Sequence, residues 1–231
     1  MAARPALILF ARRPLPGQVK TRLVPRLGAE GAAALYRAFL EDAGRVYLRP
    51  VLWTSVLCAD PDPAGSLFDP WFPEPWERTA QAPGDLGLRL CAAFEEAFHA
   101  GAPYAVAVGS DHPTLPLESL VDAFSLLASG VGSVLLPAQD GGYCAIGLAA
   151  GAPLPKIFGG VPWSTDAVLA ETVARLERAG VRHRLLSPAY DVDRPEDLDR
   201  LRRDLDERDP DAGDFPRATA AAMKALAQAP S

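Results

Sequence analysis

Short apolar runs of strand length alternate along this chain with longer segments whose apolar residues recur every three to four positions. That alternation is what βα units around a buried, mostly parallel sheet require. Ala6 to Ala11 reads as the first strand, and a helix is expected from about Glu30 to Tyr47, with Ala33, Leu35, Phe39 and Ala43 near one stripe. Val51 to Cys58 reads as a second strand, followed by a Pro/Trp-rich stretch from Pro61 to Pro83 for which a flap and an ordered loop are both open. Asp85 stands where it can cap a helix carrying Leu86, Leu90, Phe94, Ala97 and Phe98, which Gly101 would stop. Tyr104 to Val108 is a further strand, and Leu117, Leu120, Val121, Phe124 and Leu127 form a helical stripe ended by Gly130. Ser133 to Pro137 and Tyr143 to Leu148 are apolar runs separated by Asp140-Gly141-Gly142, which suggests a hairpin or a site-lining loop. Ser164 is the expected N-cap of a helix with Val168, Leu169, Val173 and Leu176 inside, after which Arg182 to Leu186 returns to the sheet. Pro195 opens the last firm helix, striped by Leu198, Leu201 and Leu205. These elements make one domain over residues 1–208, and the Ala-, Pro- and Asp-rich remainder, 209–231, reads as a frayed or peripheral tail.

At 231 residues the chain has the length of one generous domain. No run approaches the roughly 18 to 20 apolar residues of a spanning helix, so a soluble, cytoplasmic protein without membrane insertion is expected. The three cysteines, Cys58, Cys91 and Cys144, show neither metal-ligand spacing nor an even count, so they read as buried, inert thiols. A net charge of -6 argues against general nucleic-acid binding. The charge is uneven, however. Residues 1–29 contain no acid but carry Arg4, Arg12, Arg13, Lys20, Arg22 and Arg26, whereas residues 191–214 hold eleven acids against five arginines. A small anionic ligand near the N-terminal loop follows.

In an open α/β sheet, ligands bind beyond the carboxyl ends of the strands, so the strand-to-loop junctions carry the candidate chemistry. After the first strand comes Arg12-Arg13-Pro14-Leu15-Pro16-Gly17-Gln18-Val19-Lys20-Thr21-Arg22, in which Gly and Pro shape the backbone and Lys and Arg supply charge for phosphate. A merely solvated basic loop is the plainer alternative. Neither a Walker loop, because Val19 stands where Gly is needed, nor a GxGxxG fingerprint is present. Asp111, in Gly109-Ser110-Asp111-His112-Pro113, is a metal ligand if a second carboxylate reaches it and otherwise a turn cap; His112 reads as a turn or partly buried histidine. In Asp191-Val192-Asp193, strand alternation sends both carboxylates to one side, either around a cation or as helix-start acids. Gln81, Gly84 and Asp85, then Asp140, Gly141 and Gly142, then Trp163, Ser164, Thr165 and Asp166 are candidate substrate-lining groups. Trp163 has two readings, stacking on a ligand or stapling its helix; Asp85 likewise contacts a ligand or only caps.

Taken together, six ordered motifs between about Leu7 and Leu205 resemble the bacterial radical-SAM/selenodomain-associated transferase family, a group assigned as glycosyltransferases. They are Phe10 to Gly17 with Lys20-Thr21-Arg22-Leu23, Gly84-Asp85-Leu86-Gly87, Gly109-Ser110-Asp111, Gln139 to Tyr143, Pro162 to Asp166, and Tyr190 to Asp193. The resemblance implies the glycosyltransferase A fold, a nucleotide-diphospho-sugar transferase-like three-layer α/β/α sandwich with a mostly parallel mixed sheet. Asp193-Arg194-Pro195-Glu196-Asp197-Leu198 is also similar to the closing motif of nucleotidyltransferases in that superfamily, where the leading Asp joins a mid-chain Asp in holding magnesium. By that resemblance Asp111 and Asp193, with Asp191 as a further candidate, hold Mg²⁺ or Mn²⁺. Lys20-Thr21-Arg22-Leu23 is similar to the loop of phospholactate guanylyltransferases. An Arg-Met-Gly loop and an uninterrupted DxD, both known in the superfamily, are absent, since His112-Pro113 follows Asp111.

The expectation is a metal-dependent transferase using a nucleotide-activated donor, foremost a glycosyltransferase acting on an NDP-sugar with an unidentified acceptor. Asp111, Asp193 and Lys20 are the expected catalytic groups. Arg12, Lys20, Thr21, Arg22, Gln81, Gly84 and Asp85 are the expected nucleotide and phosphate contacts. Asp140, Gly141, Gly142 and Trp163 to Asp166 are the expected acceptor contacts. A nucleotidyltransferase releasing pyrophosphate is the alternative, and a non-catalytic nucleotide sensor or partner protein the second alternative. A monomer or small homo-oligomer is expected.

Overall fold

The computed structural model describes residues 4–49, 51–60 and 66–228. Seven strands form one sheet in the order β3-β2-β1-β4-β6-β5-β7, where β1 is Ala6–Ala11, β2 Thr54–Ala59, β3 Glu77–Ala80, β4 Tyr104–Gly109, β5 Ser133–Pro137, β6 Tyr143–Ala149 and β7 His183–Leu185. Only β6 runs antiparallel to its neighbours. The helices are α1 (Val24–Val46), α2 (Leu86–His99), α3 (Leu117–Ala128), α4 (Leu154–Phe158), α5 (Val168–Arg178), α6 (Pro195–Glu207) and α7 (Arg217–Gln228).

Alternate strand residues feed two separate cores. Leu7, Leu9, Val106, Val108, Val134 and Leu136 pack under α1, α3, α6 and α7, while Ile8, Ala105, Ala107, Leu135 and Ile146 pack under α2, α4 and α5. The result is the expected three-layer α/β/α sandwich with a mostly parallel mixed sheet. From β1 the chain winds outward through β2 to β3, then returns to place β4 on the other side of β1. The carboxyl ends of β1 and β4 therefore flank a topological switch point, where an open sheet leaves a crevice.

Several local expectations are corrected. β2 starts at Thr54, because Val51 is 93% exposed in a turn despite being apolar. The helix expected from about Glu30 is present, and what the sequence did not show is the short helical turn before it: α1 opens at Val24, and Gly28, at φ 70°, separates that turn from the main helix. The Pro/Trp-rich stretch, whose residues 61–65 lie outside the described residues, contributes the edge strand β3 and buries Phe68, Phe72 and Trp76 against α1 and β2, so its described part is a largely exposed segment pinned to the core by three aromatic rings. Ser164 does not cap α5. It sits in left-handed backbone at φ 66°, the helix starts after Ala167, and Thr165 Oγ1 accepts from the Ala167 N–H at 3.3 Å. Of the frayed-or-peripheral tail, the described residues 209–228 are not frayed: α7 packs on α1, with Thr219 and Met223 buried. Among the described residues no helix is long and apolar enough to cross a membrane.

Candidate active site

The loop leaving β1 presents Lys20 just before a 3-10 turn at Thr21–Leu23. Lys20 adopts left-handed backbone at φ 47°, a sparsely populated region for a side chain of this size. Its side chain is only 3% exposed, and its ammonium lies 2.7 Å from Asp111 Oδ1 and 3.3 Å from Asp193 Oδ1. The two carboxylate oxygens are hence no more than about 6 Å apart. Arg22 closes the group from the solvent side, 2.7 Å from Asp193 Oδ2. Asp111 thus has a second carboxylate across the same ammonium, and Asp193, beside the start of α6, pairs with two cations.

Neutral bonds bring these distant segments together. The Val192 N–H donates to the Asp111 carbonyl at 3.0 Å, and the fully buried Val192 side chain turns Asp191 and Asp193 to the other side. Nδ1 of the buried His112 lies 3.1 Å from the Tyr190 carbonyl, which can only accept, so the proton of the neutral ring sits on Nδ1. Asp193 and Arg194 both donate their N–H to Asp197 Oδ2, which fixes the entry into α6 beside Pro195. On the opposite side, the buried Tyr36 hydroxyl accepts from the Arg12 N–H at 3.0 Å and shares a 2.7 Å hydrogen bond with Ser110 Oγ. That pair ties the first loop to the end of β4.

The charges respond accordingly. Burial opposes ionisation of Asp111, but the Lys20 charge and hydrogen bond outweigh it, with His112 and Arg12 adding, and hold the carboxyl below its ordinary range. Burial pushes His112 down, against the pull of the Asp111 charge. Asp191 is pushed up, first by burial and then by the like charges of Asp140 and Asp193. Burial also raises the thiols of Cys58 and Cys144 to about 12, and that of the half-buried Cys91, in line with inert cysteines.

The remaining candidates flank this centre. Gln81 uses its amide within the protein: Nε2 donates to the carbonyls of Ala11 and Cys58 at 3.1 and 3.0 Å, and Oε1 accepts from Arg89 at 3.0 Å. It spans the ends of β1 and β2. Asp85 caps α2, accepting from the Leu88 N–H at 2.9 Å, and Gly84 precedes it in left-handed backbone at φ 113°. Asp140 accepts from the Gly142 N–H across the β5–β6 turn. Gly141, at φ 90°, lies so close to the 162–166 segment that a Cβ would sit 2.2 Å from the Asp166 carbonyl oxygen. The Trp163 ring packs 6.5 Å from that of Phe158 and lies over Gly87. Thr165 donates to the Pro162 carbonyl, whereas Thr21, Ser164 and Asp166 are exposed. Tyr36, which joins two of the loops through Ser110, carries no signal of its own in the sequence, since a tyrosine in a helix reads as core.

Two carboxylates presented to one point form a hard oxygen donor set that suits Mg²⁺ or Mn²⁺. Among the described residues no group of three or more His, Cys, Asp or Glu side chains is placed to hold an ion. An ion at Asp111 and Asp193 would therefore complete its shell from water and phosphate oxygens, the usual arrangement for magnesium.

This fold, with its site at the β1/β4 switch point, is of the nucleotidyltransferase and glycosyltransferase A type. A protein of Desulfovibrio desulfuricans provisionally named a nucleotide-diphospho-sugar transferase is similar at 30% identity, covering 96% of this chain and 98% of its own, with a TM-score of 0.84. A cytidylyltransferase of Leptospira borgpetersenii shares the fold at 12% identity, 99% and 98% coverage and a TM-score of 0.59. A 4-diphosphocytidyl-2C-methyl-D-erythritol synthase does so at 14% identity, 89% and 99% coverage and a TM-score of 0.58. The chain belongs to the family described as "Uncharacterized protein conserved in bacteria (DUF2064)", whose model matches residues 45–165. A search of curated proteins finds no match.

Proposed function

We propose that this protein is a divalent-metal-dependent transferase that uses a nucleotide-activated donor, foremost an NDP-sugar whose glycosyl group passes to an acceptor. The observation that carries this reading is the meeting of the Lys20 ammonium with Asp111 and Asp193 at the switch point. The similarity to the Desulfovibrio protein over nearly the whole of both chains supports the NDP-sugar as donor, and the motif resemblance to radical-SAM/selenodomain-associated transferases belongs to the same reading.

In it, Lys20, Arg22 and the Arg12 side chain grip the donor phosphates, with Thr21 at the rim. Gln81 and Gly84 shape the nucleoside side through the main chain they support, while Asp85 serves its helix cap. Gly141, Gly142, Asp140 and the 163–166 segment border the acceptor. Asp111 and Asp193, with Asp191 behind them, would hold Mg²⁺ or Mn²⁺, which would offset the charge developing on the departing diphosphate. Catalysis of this kind is positional and electrostatic, so rigid placement of Lys20 and Arg22 against the diphosphate is the chain's own contribution.

A second reading is nucleotidyl transfer from an NTP to a phosphorylated acceptor, whose phosphate oxygen takes the nucleotidyl group as pyrophosphate leaves. It is favoured by the number of cations on the acid-free first loop, because a triphosphate carries more charge than an NDP-sugar. One assay separates them: NDP-sugars and NTPs are offered with Mg²⁺ or Mn²⁺, and released NDP and pyrophosphate are measured. NDP release supports glycosyl transfer, pyrophosphate release supports the second reading, and Asp193→Asn abolishes either while circular dichroism stays unchanged. Nucleotide binding with no turnover under any metal would leave a sensor and overturn both enzymatic readings.

A further inference from the structure

We infer that Lys20 is a cationic placeholder: its ammonium and a divalent ion compete for the same two carboxylates, so the ion enters together with a phosphate group that draws the ammonium away. The inference rests on the proposed metal-and-phosphate reading of this site and adds an order and a coupling to it.

Three features carry it. First, the ammonium satisfies both carboxylates at once, at 2.7 Å and 3.3 Å, which is where a bridging cation would stand. Second, Asp193 has a cation on each oxygen, Lys20 on Oδ1 and Arg22 on Oδ2, so a divalent ion bound by the pair must share those oxygens with, or displace, a positive charge already there. Third, the ammonium is committed inward: its side chain is 3% exposed and its nitrogen lies 6.0 and 5.8 Å from the ring centres of Tyr36 and Phe39. Phosphate oxygens would offer Lys20 and Arg22 an alternative anion of greater charge. Each ligand then lowers the cost of admitting the other, and thermodynamic linkage makes that help reciprocal.

The test measures Mn²⁺ binding by electron paramagnetic resonance in phosphate-free buffer, for wild type, Lys20→Met, Lys20→Gln and Asp193→Asn. Lys20→Gln keeps a neutral donor for the two acids and serves where Lys20→Met fails to fold, as judged by circular dichroism. Removing the ammonium should tighten Mn²⁺ binding at least tenfold. In a separate metal-free titration, inorganic pyrophosphate should bind the two Lys20 variants at least tenfold more weakly than wild type. Folded Lys20 variants that bind Mn²⁺ no tighter than wild type would overturn the inference. If Asp193→Asn nevertheless loses the ion, the metal reading stands and the placeholder alone falls. If no variant has a Mn²⁺ site that depends on Asp193, both fall.

Discussion

Asp42 on α1 is a buried carboxylate, 3% exposed, and its partners lie 176 and 177 positions further along the chain. Oδ1 accepts from the Ala218 N–H at 3.1 Å and Oδ2 from the Thr219 N–H at 2.8 Å, the second and third residues of α7. The carboxylate thereby caps a helix that its own segment does not belong to, and its charge faces the positive end of that helix dipole. Arg45, one turn on, adds a bond to the Gly213 carbonyl at 2.9 Å. Replacing Asp42 by Ala leaves both N–H groups without their acceptor. A cap is worth ~0.5–2 kcal/mol, and a partly buried charge at a helix terminus up to ~2 kcal/mol. The expected cost is about 2–3 kcal/mol, unless α7 undocks first and limits the global loss. Either route shows locally: hydrogen exchange of the 217–228 amides, read by mass spectrometry, should accelerate about 30- to 100-fold, at ~1.4 kcal/mol per decade. Asp42→Asn, which keeps one acceptor and loses the charge, should fall between. Unchanged exchange across 217–228 in Asp42→Ala would refute the claim that this cap holds α7 on the domain.

Two further outcomes follow from neutral groups around the site. Tyr36→Phe removes the hydroxyl that joins the Arg12 N–H to Ser110 Oγ; urea unfolding should show a loss of ~1–2 kcal/mol. A cycle with Ser110→Ala should reveal ~0.5–1 kcal/mol of coupling, and strict additivity would contradict the shared bond. His112 is held neutral by burial, its pKa lowered below the usual 6.5. The unfolded chain therefore binds this proton first, so stability present above that pH falls as pH drops through the lowered native value. His112→Asn, which can keep a donor towards the Tyr190 carbonyl, should flatten the slope of unfolding free energy between pH 7 and 5; an unaltered slope would show that His112 titrates alike in both states.

How much of this was legible in the sequence depended on whether the deciding contact was local. β1 was read with its true bounds because every residue of Ala6–Ala11 is apolar and the strand is covered on both faces. The Asp140-Gly141-Gly142 turn marked its hairpin because the Asx bond to Gly142 and the left-handed Gly141 are short-range devices. Val51 misled because apolar character alone says nothing about burial at the end of a turn. Ser164 misled because the 162–166 segment bends around Gly141, a neighbour that no capping rule sees. α7 escaped notice because its Ala-rich stripe is weak and its anchor, Asp42, lies on another helix. In the site, Asp111 was recognisable as an acid just past the end of β4, and Asp193 by its spacing from Asp191 and its place before Pro195. That Lys20 would stand between them was not, since its signal is the same for a phosphate ligand as for an ion-pair partner.

The two kinds of bond in the site divide the labour of building it. Main-chain and neutral side-chain bonds place the loops: Val192 on Asp111, His112 on Tyr190, and Tyr36 between Arg12 and Ser110. The site-facing charged groups Lys20, Arg22, Asp111 and Asp193 are held by one another. Exchanging an ammonium for a metal ion, or a carboxylate for a phosphate, therefore changes charged partners without breaking any bond that sets the backbone. A site assembled in this way can be preorganised and still trade its ions, because the scaffold never depended on which cation the two acids were facing.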